Sequence, residues 1–205
     1  MTMAKDNREF IQLQIDALVL RYYIFLYDEL EKEIKHQFTH NLSYIESSKR
    51  ELLYFYLSGI KTNSLQIEYG SKTILMTNSK FREQEDFAIL TLSQIIKIHR
   101  ESHLLDIFEF NISSINSRTT EYPFTDCCVK LLNMRNKLAH ELTHLEFKDH
   151  DIIEILSNDY IEDISSEWFG SLDSKLMTDE AKIIFSNLII MKNILTEFRK
   201  RVEQV

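Results

Sequence analysis

The segment DCCVKLLNMRNKLAHEL, residues 126–142, carries the pattern that decides the fold class of this chain. Its apolar residues recur at steps of three and four, as they do along one face of an α-helix. The composition points the same way, because the chain has only three glycines and one proline among its 205 residues. These two residue types normally punctuate strands and tight turns. We therefore predict an all-α protein built mainly from long helices.

Similar periodicity predicts helices in most other parts of the chain. A long first helix is predicted over residues 7–38. A last helix is predicted over Ala181–Val202, with Thr178 to Glu180 as the signature of its start and basic residues close to its end. The remaining predicted helices cover residues 44–57, residues 81–112 with a break near His99–His103, and the two short segments Ile152–Leu156 and Tyr160–Trp168.

One segment departs from the helical rhythm. Residues 65–76 alternate apolar and polar side chains around Gly70-Ser71, a pattern that predicts a short β-hairpin. An isolated hairpin is only marginally stable, so it should pack on the helices or on a second subunit. We predict an up-and-down helical bundle of five to six helices with this one hairpin, forming a single domain over residues 1–205.

The charge of the chain is unevenly distributed. The net charge of −8 disfavours indiscriminate binding to nucleic acid. Residues 149–180 hold ten acidic residues and one lysine, which gives this acidic segment a charge of −9 and leaves +1 for the rest of the chain. A local positive site elsewhere is therefore compatible with the total. The acidic segment itself is typical of a solvated surface.

The sequence features that indicate a cellular compartment agree with one another. We find no apolar run of membrane-spanning length and no apolar core of a signal peptide, so we expect a cytoplasmic protein with no membrane contact. The two cysteines, Cys127 and Cys128, are adjacent on a predicted helix and point about 100° apart, so they cannot pair with each other. They are interpreted as small core residues in a reducing compartment.

Arg135, Asn136 and His140 are the residues of the opening segment that suggest chemistry. A guanidinium group stays protonated, so an arginine within an apolar stripe should face a carboxylate, a cleft or a ligand phosphate. His140 lies about 140° further round the helix than Arg135, on the line of Asn136 and His144. Six apolar residues fall within about 60° of Arg135 on a regular helix, namely Cys128, Leu131, Leu132, Leu138, Ala139 and Leu142.

The pattern Arg-Asn-x-x-x-His close to the end of an apolar helix resembles the motif of the HEPN superfamily. In that motif an arginine, often followed by a polar residue, precedes a histidine by four to six intervening residues. The resemblance covers the motif helix and the all-helical composition, whereas the hairpin and the acidic segment have no counterpart that we can map. It implies a metal-independent endoribonuclease without a cofactor, of the toxin–antitoxin, phage-defence or CRISPR-associated kind, whose active site lies at a homodimer cleft.

The implied chemistry agrees with what the motif residues can do. RNA cleavage without a metal requires a base for the 2′-OH, an acid for the leaving oxygen and a fixed cation for the phosphorane. One copy supplies one His140 and one Arg135, so we expect two copies to share a site, with the apolar stripe around Arg135 as the dimer surface. Asn136 would orient the imidazole or hold a phosphate oxygen. Three further residues are candidates for binding RNA: Lys130, Lys137 and His144.

Two other interpretations stay open. One is a metal-binding, di-iron-like helical bundle, because Glu33-x-x-His36 and Glu141-x-x-His144 match the spacing of such sites. The other is a non-catalytic HEPN-like interaction module, in which the acidic segment docks a basic partner such as an antitoxin or another defence-system protein. Metal binding is also suggested by three histidine pairs at four-residue spacing, which are His36/His40, His99/His103 and His140/His144.

Overall fold

A computed structural model describes residues 2–41, 66–69, 72–75, 90–103, 105–140, 146–169 and 174–204. Within these ranges the chain is mostly helical and carries a short antiparallel hairpin, which confirms the predicted class at that level. The helix predicted at residues 44–57 lies outside the described residues. None of the described helices is long and apolar enough to cross a membrane.

The chain divides into two compact units. The first unit comprises residues 1–30 and 110–205, and the second comprises residues 31–109. The long helix α1, Thr2–Asn41, supplies residues to both units. It is somewhat longer at each end than the predicted helix over residues 7–38. Its buried apolar side chains follow one another at three- and four-residue steps, as the sequence periodicity required: Ile15, Val19, Tyr23, Tyr27, Leu30, Ile34 and Phe38.

In the second unit the predicted hairpin is present. Strand β1, Gln66–Tyr69, pairs antiparallel with strand β2, Lys72–Leu75, with Ile67 opposite Ile74. Helix α2, Leu92–Ser102, begins at Thr91, whose side chain accepts a hydrogen bond from the backbone of Gln94 in a capping box.

Helix α2 ends where the sequence predicted a break. His103 has a φ of 47°, and this left-handed conformation terminates the helix. The predicted helix to residue 112 is therefore wrong beyond residue 102. Leu105 and Glu109 flank a short 3-10 turn, Asp106–Phe108, and the chain then enters an extended strand.

In the first unit a second small sheet precedes the motif helix. Strand β3, Asn111–Ser113, pairs antiparallel with strand β4, Glu121–Pro123, and Ile112 lies opposite Tyr122. The sequence did not reveal this sheet, since each strand has only three residues. The loop between β3 and β4 is bound by the carboxylate of Glu154, a residue outside the sheet. This carboxylate accepts hydrogen bonds from Ser114 Oγ and from the backbone N–H groups of Ile115 and Asn116.

Three helices complete the first unit. Helix α3, Phe124–His140, contains the motif and begins directly after Pro123. It is followed by α4, Asn158–Phe169, and by α5, Asp179–Val202. The ring of Phe124 stacks at 4.5 Å on Phe110 and at 5.2 Å on Phe198 of α5, which fixes the start of α3 in the core. Thr178 caps α5, as predicted.

The segment Ile152–Leu156 is not helical, so that prediction was wrong. The backbone N–H of Ile153 donates to Asn187 Oδ1 at 2.9 Å, and that of Leu156 donates to Ser186 Oγ at 3.1 Å. Both acceptors are buried polar side chains of α5. These bonds satisfy the two backbone N–H groups without a helix. The donors and acceptors lie about 30 residues apart in sequence, so only the folded chain brings them together.

Candidate functional site

The motif segment lies in the second half of α3, and the buried face of this helix is centred differently from the prediction. Its buried residues are Phe124, Cys127, Cys128, Leu131, Met134 and Leu138. On a regular helix their mean direction lies about 50° from Arg135. Arg135 is accordingly half-buried at the border of the face, and Ala139, which was expected in the stripe, is exposed.

Three of the six residues in the apolar stripe are not available to the dimer surface that the sequence suggested. Cys128, Leu131 and Leu138 are each at most 2% exposed, so they belong to the core of their own chain. A second copy could reach them only after the first unit had opened. Of the other three, Leu132 is half-buried, Ala139 is exposed, and Leu142 lies outside the described residues, so the dimer surface around Arg135 stays a prediction.

Two tyrosines of α1 position the second half of α3. The hydroxyl of Tyr23 donates a buried hydrogen bond of 2.9 Å to the carbonyl oxygen of Leu131. Burial, with a smaller effect of Tyr27, raises the pKa of Tyr23 well above its ordinary value, so the hydroxyl stays a donor. One turn further along both helices, the guanidinium of Arg135 lies 6.0 Å from the ring centroid of Tyr27. No pattern in the sequence indicates this pairing, which depends on tertiary packing.

Within the described residues, the guanidinium of Arg135 has one further polar contact. Its Nη1 is 3.5 Å from Oδ1 of Asn136, at the outer limit of a hydrogen bond. Among the described residues no carboxylate forms an ion pair with Arg135. An arginine carries five N–H donors, so most of those on Arg135 point to no protein acceptor within the described part of the chain. Such a half-buried cation can receive an anion.

His140 is the last residue of α3 and is exposed, as is Asn136. Because the helix stays regular up to His140, the side chains of Arg135 and His140 leave it about 140° apart. One copy of the chain therefore does not bring these two groups to one point. His144 lies outside the described residues.

The two lysines predicted to bind RNA both hold α3 to the following segment. Lys130 Nζ donates to the carbonyl oxygen of Ile152 at 2.8 Å. Lys137 Nζ donates to the carbonyl oxygen of Glu146 at 2.7 Å and pairs with Asp151 Oδ2 at 2.7 Å. These contacts account for both ammonium groups without a ligand. Their predicted role in RNA binding stays a prediction.

Asp151 is the buried partner in this arrangement. Its side chain is 2% exposed, and it also accepts a hydrogen bond from the backbone N–H of Lys148. Burial acts to raise the pKa of Asp151, but the hydrogen bonds from Lys137 and Lys148 and the charge of Lys137 outweigh it, so the pKa is lowered. Two of the ten acids in the acidic segment, Asp151 and Glu154, are therefore structural.

The histidine pairs do not assemble a metal centre within the described ranges. The rings of His36 and His40 stack nearly parallel, with centroids 6.4 Å apart. His99 and His103 both contact Glu109 Oε1, from Nε2 at 3.3 Å and from Nδ1 at 2.7 Å respectively. In the part of the chain that the structure describes, no group of three or more histidine, cysteine or acidic side chains is placed to hold a metal ion.

His99 is the buried member of this cluster, at 2% exposure, and its ring packs edge-on against Phe108. Burial lowers the pKa of His99, and the opposing effect of the Glu109 carboxylate is smaller. The hydrogen bond from His103 lowers the pKa of Glu109. The cluster thus favours a neutral His99 beside an ionised carboxylate.

The cysteines offer no nucleophile. Cys127 and Cys128 are both buried free thiols. Burial raises the pKa of Cys127 to about 12, so this thiol is protonated at neutral pH and inert. The interpretation of both residues as core side chains is confirmed.

Comparison with known proteins adds no relative. No protein-family model matches the sequence, and no curated protein and no solved structure is matched by the chain. Membership of the HEPN superfamily therefore stays a prediction that rests on Arg135, Asn136 and His140.

Proposed function

We propose that this chain is a metal-independent endoribonuclease of the HEPN type, and that its bundle is the helical arrangement of that superfamily. Arg135 would stabilise the negative charge of the phosphorane, and His140 would transfer the protons. Asn136 would hold a phosphate oxygen or orient the imidazole. No metal enters this mechanism, since the three groups supply a cation, an acid–base group and a polar anchor.

One observation carries the proposal: the guanidinium of Arg135 is half-buried yet pairs with no described carboxylate. A buried arginine that serves only structure normally has an acidic partner because an isolated buried charge is costly, and half-burial carries part of that cost. Arg135 instead lies against the ring of Tyr27 and beside Oδ1 of Asn136. A phosphodiester would supply the missing negative charge, and planar guanidinium groups bind phosphate through two parallel hydrogen bonds.

The site requires a second copy of the chain. Arg135 and His140 diverge on one regular helix, whereas two copies would bring two of each residue to a common groove. His140 is the exposed last residue of α3, which supports contact with a neighbouring molecule. We therefore propose a homodimer that cleaves RNA in the cytoplasm. Its role as a toxin or phage-defence effector, with an antitoxin or another defence protein as partner, is proposed from the resemblance alone.

RNA cleavage with single-residue variants tests the proposal. The full chain is incubated with a fluorogenic single-stranded RNA in excess EDTA. We expect cleavage by the wild type and a loss of about 100-fold or more in Arg135→Ala and in His140→Ala, the scale of a lost general acid or base. Matched controls are Arg118→Ala and His36→Ala, which remove an exposed arginine and an exposed histidine elsewhere.

Folding must be checked in parallel, since Arg135 contacts Tyr27. Arg135→Lys keeps the charge and most of the stem but not the planar fork. We expect Arg135→Lys to melt like the wild type and still lose most of the activity. Full activity in His140→Ala, or cleavage by the wild type that stops in EDTA, would refute the proposed mechanism.

A further inference from the structure

Between residues 10 and 26, helix α1 is apolar on two opposite sides, and only one of them lies in the core of its own chain. Thirteen of these 17 residues are apolar. The second side, which we call the α1 outer face, carries five large apolar side chains that are each more than a third exposed: Phe10, Ile11, Leu13, Ile24 and Phe25. A helix that is apolar all round is normally covered on every side, and a contiguous exposed apolar patch usually marks an interaction site.

A polar line runs along the middle of the α1 outer face. Gln14, Arg21 and Asp28 are all exposed, and they recur every seven residues, so they follow one another along a regular helix. The exposed apolar residues flank this line on both sides: Ile11 and Phe25 on one, and Phe10, Leu13 and Ile24 on the other. This is a pattern with which one α-helix packs lengthwise on another.

Arg21 is the charge at the centre of this face, and its surroundings on α1 are apolar. The positions that adjoin it on the helix surface, three and four residues away in each direction, are Ala17, Leu18, Ile24 and Phe25. The carboxylate of Asp16 is engaged elsewhere, since it accepts hydrogen bonds from Thr178. Within the described ranges no acidic side chain forms an ion pair with Arg21. A protein that covers the apolar side chains displaces the water around this guanidinium, so it has to supply an acid in return.

A second copy of α1 does not supply that acid. In an antiparallel pair that superposes the exposed apolar residues, Arg21 lies opposite Gln14, and in a parallel pair in register it lies opposite its own copy. Asp28 meets Arg21 only in a shifted antiparallel register, and in that register Phe10 lies opposite the polar residue Thr39 and loses its apolar contact. The α1 outer face therefore fits a different protein better than it fits itself.

We propose that the α1 outer face binds an amphipathic α-helix of a different protein, and that this helix carries an acidic residue among its apolar side chains, opposite Arg21. Asp28 lies one heptad further along and favours a basic residue at the matching position of the partner. The contact is separate from the candidate ribonuclease site, because Tyr23 and Tyr27, which contact α3, lie on the buried side of α1. The proposal follows from the side chains of α1 alone and does not rest on the proposed function.

A matched pair of synthetic peptides tests the chemistry of the partner. Each peptide is a stapled amphipathic helix of about three heptads, with leucines on both sides of one polar line. The central polar residue is glutamate in one peptide and lysine in the other, and all other residues are identical. Fluorescence anisotropy measures their binding to the full chain. We expect the wild type to bind the glutamate peptide at least about tenfold more tightly, because the lysine peptide places two positive charges opposite each other.

Charge reversal on the chain is the sharpest variant. Arg21→Glu should reverse the preference between the two peptides, whereas Arg118→Glu, at an exposed arginine elsewhere, should keep the wild-type preference. Leu13→Glu/Phe25→Glu should weaken the binding of both peptides at least about tenfold, and Ile155→Glu, at an exposed apolar residue outside α1, should not. The helical circular dichroism spectrum should be unchanged in all four. Equal affinity of the wild type for the two peptides, or a preference that Arg21→Glu leaves unaltered, would overturn the proposal.

Two other occupants of the α1 outer face give different results. A second copy would make the wild type sediment as a dimer that Leu13→Glu/Phe25→Glu converts to a monomer. A membrane would make the wild type bind vesicles of phosphatidylcholine and phosphatidylserine, and the same double variant would abolish that binding. We expect neither, and either result would overturn the assignment to a partner helix. None of these measurements reads RNA cleavage, so failure of this proposal and failure of the proposed function are distinguishable.

Discussion

At the scale of single residues, Lys137 and Asp151 form a buried ion pair. It joins the motif helix to the start of the acidic segment, and its carboxylate is almost fully buried. The same lysine was predicted from sequence to touch RNA. Sequence shows that a lysine is present but not which acid folds against it, so the two roles could not be told apart.

The pair predicts a stability effect with a defined pH range. Asp151→Asn should lower the free energy of unfolding by about 2 kcal/mol at pH 7, since it removes a hydrogen-bonded buried charge. Because the folded pKa of Asp151 is below its model-compound value of 3.8, the contribution is complete above that value and disappears as the pH falls through the folded pKa. Urea unfolding at pH 7 and below pH 3 measures the difference.

The exposed Asp149 belongs to the same 3-10 turn, Asp149–Asp151, and Asp149→Asn is the control. We expect its stability to be within 0.5 kcal/mol or so of the wild type, as for ordinary surface substitutions. An equal loss in Asp149→Asn and Asp151→Asn would mean that general charge, and not the Lys137 contact, is responsible.

Burial of His99 predicts a second pH dependence of the free energy of unfolding, in a higher pH range than that of Asp151. Burial keeps the pKa of His99 below 6.5, so the unfolded chain binds a proton more readily than the folded chain. The stabilising contribution is present above pH 6.5 and is lost as the pH falls through that value towards the folded pKa. Between pH 7.5 and 5, His99→Leu should therefore lose less stability than the wild type. His36→Leu, at an exposed position, should follow the wild type; a slope in His99→Leu equal to that of the wild type would contradict the role of burial.

At the scale of elements, the long helices and the first hairpin were predictable because their signals are local. The periodicity over α1, α3 and α5 lies within each segment, and so does the Thr178 cap. The second sheet and the irregular segment Ile152–Leu156 were not predictable. In the folded chain, Glu154 accepts hydrogen bonds from the loop of the second sheet, and Ser186 and Asn187 accept them from the irregular segment. No sequence pattern within either segment indicates these partners.

The candidate site was predictable only as a set of residues. The spacing of Arg135 and His140 is readable from sequence, but the half-burial of Arg135 against Tyr27 depends on how α1 packs on α3. Arg135 was expected in the middle of the apolar stripe, whereas Met134 takes the inward position there. The helical wheel was correct about the period and wrong about which direction faces the core.

The cap of α5 supplies a prediction at this scale. Thr178 Oγ1 accepts from the backbone N–H of Ala181 and donates to Asp16 Oδ2 at 3.1 Å, so it joins α5 to α1. Thr178→Ala should destabilise the chain by about 1 kcal/mol or more, since a lost N-cap costs that much and Asp16 loses a hydrogen bond. Thr196→Ala, at an exposed position inside α5, is the control and should cost less. Thermal unfolding of the two variants measures the difference. An equal loss of stability in Thr178→Ala and Thr196→Ala would contradict the role of the cap.

At the scale of the whole molecule, the proposed ribonuclease site needs two copies of the chain. Arg135 and His140 leave α3 about 140° apart, so one copy of the chain does not bring them to one point.

The central claim is that each chain provides half of a ribonuclease site, and subunit mixing measures it most directly. Arg135→Ala and His140→Ala chains are assayed on RNA in EDTA, separately and as an equimolar mixture. Each variant alone lacks one kind of group, whereas a mixed dimer has one arginine and one histidine. We predict cleavage by the mixture well above that of either variant alone. A mixture no more active than its components, with mixed dimers shown by mass, would contradict the account.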